Sequence, residues 1–180
     1  MKTENNIKYV RRQIAMFAED GTNIIDATCG NGNDSLYLAT AYPNAKIVGF
    51  DIQEQAIANS NKRCHGHDNV QFILDSHANV SKYVSDNVSM AIFNLGYLPH
   101  ADQNLTTKAD STIAAIEQIM NLLNPGGAII LTMYRGATNI EETTQLLDYV
   151  KTINKDFFIV SMYDLINLSG NPFNVIIERK

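Results

Sequence analysis

Cysteine and long apolar runs are both scarce in this sequence. Its two cysteines, Cys29 and Cys64, cannot form a disulfide framework, so we expect a reducing, cytoplasmic setting. No segment approaches the roughly 18 consecutive apolar residues that cross a bilayer. The first residues also lack the apolar stretch of a secretory signal. We therefore expect neither a membrane partner nor export.

The remaining composition is that of a globular protein. Apolar residues make up 45% of the 180 residues and charged residues 18%, which excludes the disordered and fibrous classes. This length suits one domain that buries its core without disulfides or metal. We predict a single domain over residues 1–180, with an N-terminal helix within residues 1–20 packed on its core.

The net charge of −5 argues against a broad nucleic-acid surface, which is normally basic, and we expect no DNA partner. A local basic cluster nevertheless stands near the N-terminus. It consists of Lys2, Lys8, Arg11 and Arg12. This cluster is either a solvated helix face or a contact for RNA phosphate.

Strand-like and helix-like segments alternate along the chain, with no repeat or low-complexity tract between them. Strands are predicted at 23–27, 46–50, 70–74, 88–93, 128–133, 157–163 and 174–178, and helices at 6–18, 34–42, 53–64, 107–123 and 139–153. This order predicts an α/β, Rossmann-like fold with a mostly parallel seven-stranded sheet and an antiparallel C-terminal strand. Ligands of such sheets bind beyond the carboxyl ends of the strands.

The loop after the first strand has the glycine pattern of a nucleotide-type site. Gly30 and Gly32 allow a tight turn close to a ligand. Ser35 stands where a dinucleotide fingerprint has its third glycine, and the Asp34 carboxylate would repel a pyrophosphate. A cationic ligand without phosphates, such as S-adenosylmethionine (SAM), fits better than NAD. The predicted contacts of this loop are Asp26, Thr28, Cys29, Gly30, Asn31, Gly32, Asn33 and Asp34.

The next two strands also end in acidic residues. Asp51, followed by Ile52 and Gln53, is placed to accept hydrogen bonds from ribose hydroxyls. Asp75, followed by Ser76 and His77, is placed to accept from an adenine amino group. The alternatives are a helix N-cap for Asp51 and an ordinary turn residue for Asp75.

The fourth strand ends in Asn94-Leu95-Gly96-Tyr97-Leu98-Pro99. The Asn94 amide oxygen and a neighbouring backbone carbonyl can both accept from one amine, which aims the amine's lone pair at a methyl donor. Tyr97 can stack on a planar ring. The alternative is a plain turn punctuated by glycine and proline.

These motifs together resemble one family over roughly residues 5–179. Asp26–Asp34 (DATCGNGND), Asp51, Asp75, Asn94–Pro99 (NLGYLP) and Leu122–Gly127 (LLNPGG) are similar to the YtqB-like, rRNA methylase-labelled group of class I SAM-dependent methyltransferases. That group includes the MnmM tRNA 5-(aminomethyl)uridine methyltransferases. The resemblance implies methylation of the exocyclic amine of 5-aminomethyl(-2-thio)uridine at the tRNA wobble position.

The chain departs from the family pattern on the side that faces the substrate. His100-Ala101 precede Asp102 where the family has two glycines, and residues 134–139 lack the family's Gly-His-Pro-Gly-Gly loop. A small-molecule amine or another RNA, such as rRNA, therefore remains an alternative acceptor. A non-catalytic adenosine-ligand sensor and an NAD-dependent oxidoreductase are the alternatives from other classes.

The catalytic roles implied by this reading fall on the fourth strand and the residues after it. Asn94 and the Leu95 carbonyl orient the amine, and Tyr97 holds the base. Asn94, Leu95 and Gly96 are also predicted to contact the cofactor. His100 or Asp102 accepts the proton. We predict no metal, because the cluster Cys64-His65-Gly66-His67 has no second group of ligands. A homodimer that pools two basic N-termini is also predicted.

Overall fold

The computed structural model describes residues 5–95, 108–134, 140–168 and 170–180. Its strands are β1 (Asn23–Asp26), β2 (Lys46–Asp51), β3 (Val70–Leu74), β4 (Val88–Leu95), β5 (Leu123–Met133), β6 (Phe158–Tyr163) and β7 (Phe173–Arg179). Its helices are α1 (Asn6–Phe17), α2 (Asn33–Ala41), α3 (Glu54–Arg63), α4 (Ala109–Leu122) and α5 (Ile140–Thr152), with a 3-10 helix at His77–Lys82.

The seven strands form one sheet in the order β3-β2-β1-β4-β5-β7-β6. The pairs from β3 across to β5 are parallel, whereas β7 runs antiparallel to both β5 and β6. The predicted α/β fold, with its antiparallel C-terminal strand, is thereby confirmed. The chain order reverses between β1 and β4, which opens a crevice at their carboxyl ends where ligands of such sheets bind.

Apolar side chains cover both faces of the sheet because alternate residues of each strand point to opposite faces. Ile25 and Phe93 belong to the cluster that packs against α4 and α5. Ile24 and Ile92 belong to the opposite cluster, in which α1 buries Ile14. Helices α4 and α5 thus cover one face of the sheet with apolar side chains, and α1 and α2 cover the other.

Most element boundaries lie within two residues of the predicted ones, but two features of the fold differ by more. The fifth strand was expected at 128–133, but it begins at Leu123, which pairs with Val88. The register then shifts before Met90 pairs with Ala128, so the residues between them, Asn124–Gly127, bulge out of the ladder. Gly126 allows this turn because its φ is +80°. The 3-10 helix after β3 was not predicted, since six residues carry too little periodicity to reveal it.

Candidate functional site

The candidate site lies at the carboxyl ends of β1, β2 and β4, where the strand order reverses. Asp26 ends β1 and pairs in register with Gly49 of β2 and Ile92 of β4. Asp51 ends β2, and Asn94 is the last residue but one of β4, at the same edge. The parallel sheet therefore brings together three polar side chains that the sequence places far apart.

The glycine loop turns sharply between β1 and α2. Gly30 and Gly32 have φ values of +51° and +75°, a conformation that other residues rarely adopt. Gly32 also touches α3: a Cβ atom on it would lie 2.9 Å from the Ser60 Cα. The loop backbone is thus fixed close to the sheet edge. Glycine is required for its conformation at both positions and for close packing at Gly32.

Asp51 is held across this loop by backbone donors. Its carboxylate accepts hydrogen bonds from the Gly30 N–H at 3.1 Å and the Gln53 N–H at 2.9 Å. Burial raises its pKa above the ordinary value, whereas these hydrogen bonds oppose that shift. The carboxylate is therefore pre-oriented toward the loop, with lone pairs left to accept from hydroxyls. Ile52, which follows it, is 57% exposed and offers an apolar surface at the same edge.

Asp26 is buried and only half satisfied. Its Oδ2 accepts from the Ser35 hydroxyl at 2.6 Å, whereas its Oδ1 has no hydrogen-bond partner within the described part of the chain. Burial, and next the charge of Asp34, raise the pKa of Asp26 to about 7, although the Ser35 hydroxyl and the Thr28 backbone act in the opposite direction. A buried acceptor without a partner is costly, so this oxygen fits a site completed by a cationic ligand.

The segment after β3 satisfies Asp75 locally. The carboxylate accepts from the Asn79 amide at 2.9 Å and the Tyr83 hydroxyl at 2.8 Å. The hydrogen bond from Asn79, which has the larger effect, and the one from Tyr83 both lower the pKa of Asp75. Ser76 caps the 3-10 helix by accepting from the Ala78 N–H at 3.2 Å. The predicted adenine contact of Asp75 and Ser76 remains a prediction.

His77 ties this segment to the end of β1. It is buried, its Nδ1 lies 3.0 Å from the Ala27 carbonyl oxygen, and its ring meets Phe93 edge-on. Burial lowers its pKa, which favours the neutral ring with Nδ1 as the donor. His77 thus links the segment after β3 to the end of β1 and to β4. Its predicted cofactor contact stays a prediction.

Asn94 is held at two points. Its backbone N–H donates to the Thr28 hydroxyl oxygen at 2.7 Å, and its side-chain Nδ2 donates to the Asp34 Oδ2 at 2.8 Å. The other oxygen of Asp34 lies 3.1 Å from Nη2 of Arg11 on α1. Sequence reasoning assigned Asp34 to a cationic cofactor and missed this connection, because nothing local in the chain links Arg11 to the glycine loop.

The other loop residues take structural positions around the turn. Asn31 accepts from the Asn59 amide at 2.8 Å, whereas Asn33 begins α2 and is exposed. Cys29 is buried, and burial raises the pKa of its thiol, which excludes an activated nucleophile there. Their predicted cofactor contacts, and that of Leu95, which is buried at the end of β4, stay predictions.

Several predicted residues fall outside the described ranges. These are Gly96, Tyr97, His100 and Asp102, together with Lys2 of the basic cluster. Within the described ranges, no three His, Cys, Asp or Glu side chains group closely enough to hold a metal ion. No described helix is long and apolar enough to cross a membrane.

Comparison with known proteins identifies the family of this fold and site. The model of the family described as "Putative rRNA methylase" matches residues 47–179, well over half of the chain. The chain belongs to this family. A solved "putative rRNA-methylase" of Clostridium thermocellum is 38% identical to this rRNA methylase family member over 100% of both chains, with a TM-score of 0.95. The predicted class I methyltransferase family is thereby confirmed.

The names of two further relatives of this rRNA methylase family member mention a bound ligand or a substrate. A "putative methyltransferase" from Streptococcus mutans, solved in complex with S-adenosylhomocysteine (SAH), is 34% identical over 99% of both chains, with a TM-score of 0.90. A chloroplastic "tRNA (mnm(5)s(2)U34)-methyltransferase" of Arabidopsis thaliana is 30% identical over 72% of this chain. The match covers 53% of that plant protein, so the chain spans about half of its length.

Proposed function

We propose that this protein is a SAM-dependent methyltransferase that acts on the exocyclic amine of 5-aminomethyl(-2-thio)uridine at the tRNA wobble position. The observation that carries the proposal is the orientation of Asn94. Its Nδ2 donates to the Asp34 carboxylate, which can only accept, so Oδ1 is the atom left to accept from a substrate. This amide oxygen and the Leu95 backbone carbonyl can each accept one N–H of the same amine, which a hydroxyl with its single hydrogen could not satisfy.

The predicted cofactor, SAM, agrees with the family and with the SAH complex of the S. mutans relative. The residues present fit it: the Asp26 Oδ1 has no partner among the residues that the structure describes and suits an ammonium group, and the Asp51 carboxylate suits ribose hydroxyls. When bound, SAM supplies a methyl group activated by a positively charged sulfur. The positive φ angles of Gly30 and Gly32 allow the tight turn, and without side chains at these positions the cofactor can approach the loop backbone closely.

Asn94 and the Leu95 carbonyl then orient the amine nitrogen. An amine accepts a methyl group only through its lone pair, so the ammonium form must first lose a proton. His100 or Asp102 is the proposed proton acceptor and Tyr97 the proposed base-stacking residue; all three lie outside the described residues. Orientation supplies most of the catalytic effect, since well-placed reactants gain roughly 7–11 kcal/mol of barrier.

Three observations bear on the tRNA substrate. The name of the Arabidopsis relative, which is 30% identical, speaks for a wobble uridine. The exposed Lys8 and Arg12 on α1 provide basic side chains for RNA phosphate on an otherwise acidic protein. We further propose a cytoplasmic homodimer that pools two such helices. The family description favours rRNA as the second candidate substrate, and a small-molecule amine stays the third.

A methylation assay tests this function. Purified protein is given methyl-labelled SAM and tRNA that carries 5-aminomethyluridine, with rRNA and a simple amine in parallel reactions, and the RNA is digested to nucleosides for mass spectrometry. We expect methyl gain on the aminomethyl nucleoside alone. Methyl gain only on rRNA or only on the free amine, while SAH still binds, would replace this substrate with the corresponding alternative.

A further inference from the structure

We propose that Asp34 is a positioning residue that fixes the Asn94 amide, and that Arg11 on α1 holds Asp34 in place. The inference rests on the proposed function for the identity of the acceptor, but not for the geometry. Three contacts link these residues into what we call the positioning chain. The Asn94 Nδ2 lies 2.8 Å from the Asp34 Oδ2, the Asp34 Oδ1 lies 3.1 Å from the Arg11 Nη2, and the Arg11 guanidinium lies 3.5 Å above the ring centroid of Tyr37.

An amide needs such a partner in order to orient an amine. The two ends of the Asn94 side chain are nearly equal in size but opposite in hydrogen bonding. If the amide turned over, Nδ2 would donate to the amine's lone pair and block attack on the methyl group. The carboxylate of Asp34 prevents this because it accepts hydrogen bonds and cannot donate them.

Arg11 and Tyr37 keep the carboxylate aimed at Asn94. Asp34 and Tyr37 are three residues apart on α2, so they lie on the same face of that helix. The Arg11 guanidinium reaches from α1 to both of them, pairing with the carboxylate and stacking on the ring. Two oxygens of one carboxylate thus serve two different elements, and the ion pair restricts its rotation.

A second polar link anchors α1 next to the same strand ends. Asn94, Thr132 and Asn174 pair in register across β4, β5 and β7, which places their side chains on one face of the sheet. The Thr132 hydroxyl donates to the buried Asn174 at 2.9 Å, and the Asn174 amide donates to Asn6 of α1. The N-terminal half of α1 is therefore fixed relative to Asn94, so Arg11 approaches Asp34 from a defined position.

Side-chain NMR tests the geometry without any substrate. The Asn94 amide signal in ¹⁵N-labelled protein is assigned by its loss in Asn94→Ala. We expect this signal to move and to exchange faster with water in Asp34→Ala, and to stay unchanged in Asp148→Asn. That control removes an exposed carboxylate that pairs with Lys151 on α5. An Asn94 signal that is the same with and without Asp34 would overturn the proposal.

Kinetics separate positioning from the alternatives for Asp34. We expect Asp34→Ala to lower kcat by about 30-fold or more, with KM for SAM and Kd for SAH within about threefold of wild type. Asp34→Asn should recover most of kcat, because its amide oxygen still accepts from Asn94, and Arg11→Ala should lose about three- to tenfold. Equal inactivity of Asp34→Asn and Asp34→Ala would make Asp34 the proton acceptor instead. A more than tenfold loss of SAH affinity in Asp34→Ala would make it a cofactor ligand.

The same experiments distinguish a failure of the proposed function from a failure of the positioning proposal. If wild-type protein methylates no aminomethyl nucleoside, but the Asn94 signal still changes in Asp34→Ala, the positioning by Asp34 stands and only the acceptor is wrong. If wild-type protein methylates the amine, but Asp34→Ala does so equally well, the function stands and the positioning chain is wrong.

Discussion

The two halves of the site are built in different ways. In the cofactor half, which is proposed to hold the cofactor and is formed by residues 26–33, 51–53 and 75–83, the two strand-end carboxylates are held partly by neighbours in sequence. Asp51 accepts from a residue two positions on as well as from Gly30, and Asp75 accepts from residues four and eight positions on. In the acceptor half, formed by Asn94 and the residues that hold it, the contacts span 60 residues to Asp34 and 66 to Thr28. The Asp51 and Asp75 carboxylates are thus oriented in part by their sequence neighbours, whereas Asn94 is oriented by residues that only the assembled fold brings to it.

Among the variants, Asn94→Ala is expected to give the largest loss of catalysis relative to its effect on cofactor binding. Loss of the orienting amide should lower kcat by at least about 100-fold, because misplaced reactants lose the benefit of orientation. SAH affinity, measured by calorimetry, should change by less than about threefold. Retained turnover would remove the catalytic role of Asn94, and lost SAH binding would place it in the cofactor half.

Two variants, Gly32→Ala and Gly21→Ala, test how much the close packing of the glycine loop against α3 contributes to stability. Gly32→Ala adds a Cβ atom 2.9 Å from the Ser60 Cα at a φ of +75°, and should cost about 2–4 kcal/mol of unfolding free energy. Gly21→Ala has a similar φ of +78° but open space around it, and should cost about 1 kcal/mol. Urea unfolding gives both values. Equal costs would show that close packing between the loop and α3 adds nothing.

Asp51→Ala should weaken the cofactor half alone. Removal of the carboxylate takes away charge-assisted hydrogen bonds worth about 1.5–3 kcal/mol each, so the Kd for SAH should rise about 10- to 100-fold. The rate at saturating SAM should fall much less than in Asn94→Ala. A Kd within twofold of wild type would leave Asp51 with only its backbone partners, Gly30 and Gln53.

The smallest expected effect is a pH dependence of cofactor binding. The pKa of Asp26 is about 7 because of burial and, next, the Asp34 charge, with Asp51 contributing in the same direction. Below pH 7 the free protein therefore holds a proton on Asp26, which an ammonium group on the ligand must displace. SAH affinity should rise from pH 6 to pH 8 by up to about tenfold. Calorimetry at both values should show the rise in wild type and a flat response in Asp26→Asn; a flat wild-type response would contradict the assignment.

The same contrast explains what sequence reasoning could and could not predict. Alternation of apolar segments predicted all seven strands and five helices, because hydrophobic periodicity is a local signal. The glycine loop, Asp51 and Asn94 were placed at one edge, because parallel strands align their carboxyl ends. These successes depend only on short motifs and on the general geometry of the fold.

The failures have a common physical origin. Nothing in the sequence indicates that Arg11 on α1 meets Asp34, or that Asn174 meets Asn6 across 168 residues. Such contacts depend on how a helix lies on the sheet, which periodicity does not specify. The early start of β5 was missed for a similar reason, since Asn124–Gly127 resemble a helix end and only the partner strand reveals the bulge.

The most direct test of the central claim asks whether the methyl group goes to the amine nitrogen. Trideuteromethyl SAM is offered with tRNA that carries 5-aminomethyluridine, and with the same tRNA after acetylation of that amine, which removes its lone pair as a nucleophile. The account predicts a three-deuterium methyl group on the side-chain nitrogen of the free amine, located by fragmentation of the nucleoside, and none on the acetylated tRNA. Equal methylation of both tRNAs, or a methyl group on the base ring or ribose, would contradict it.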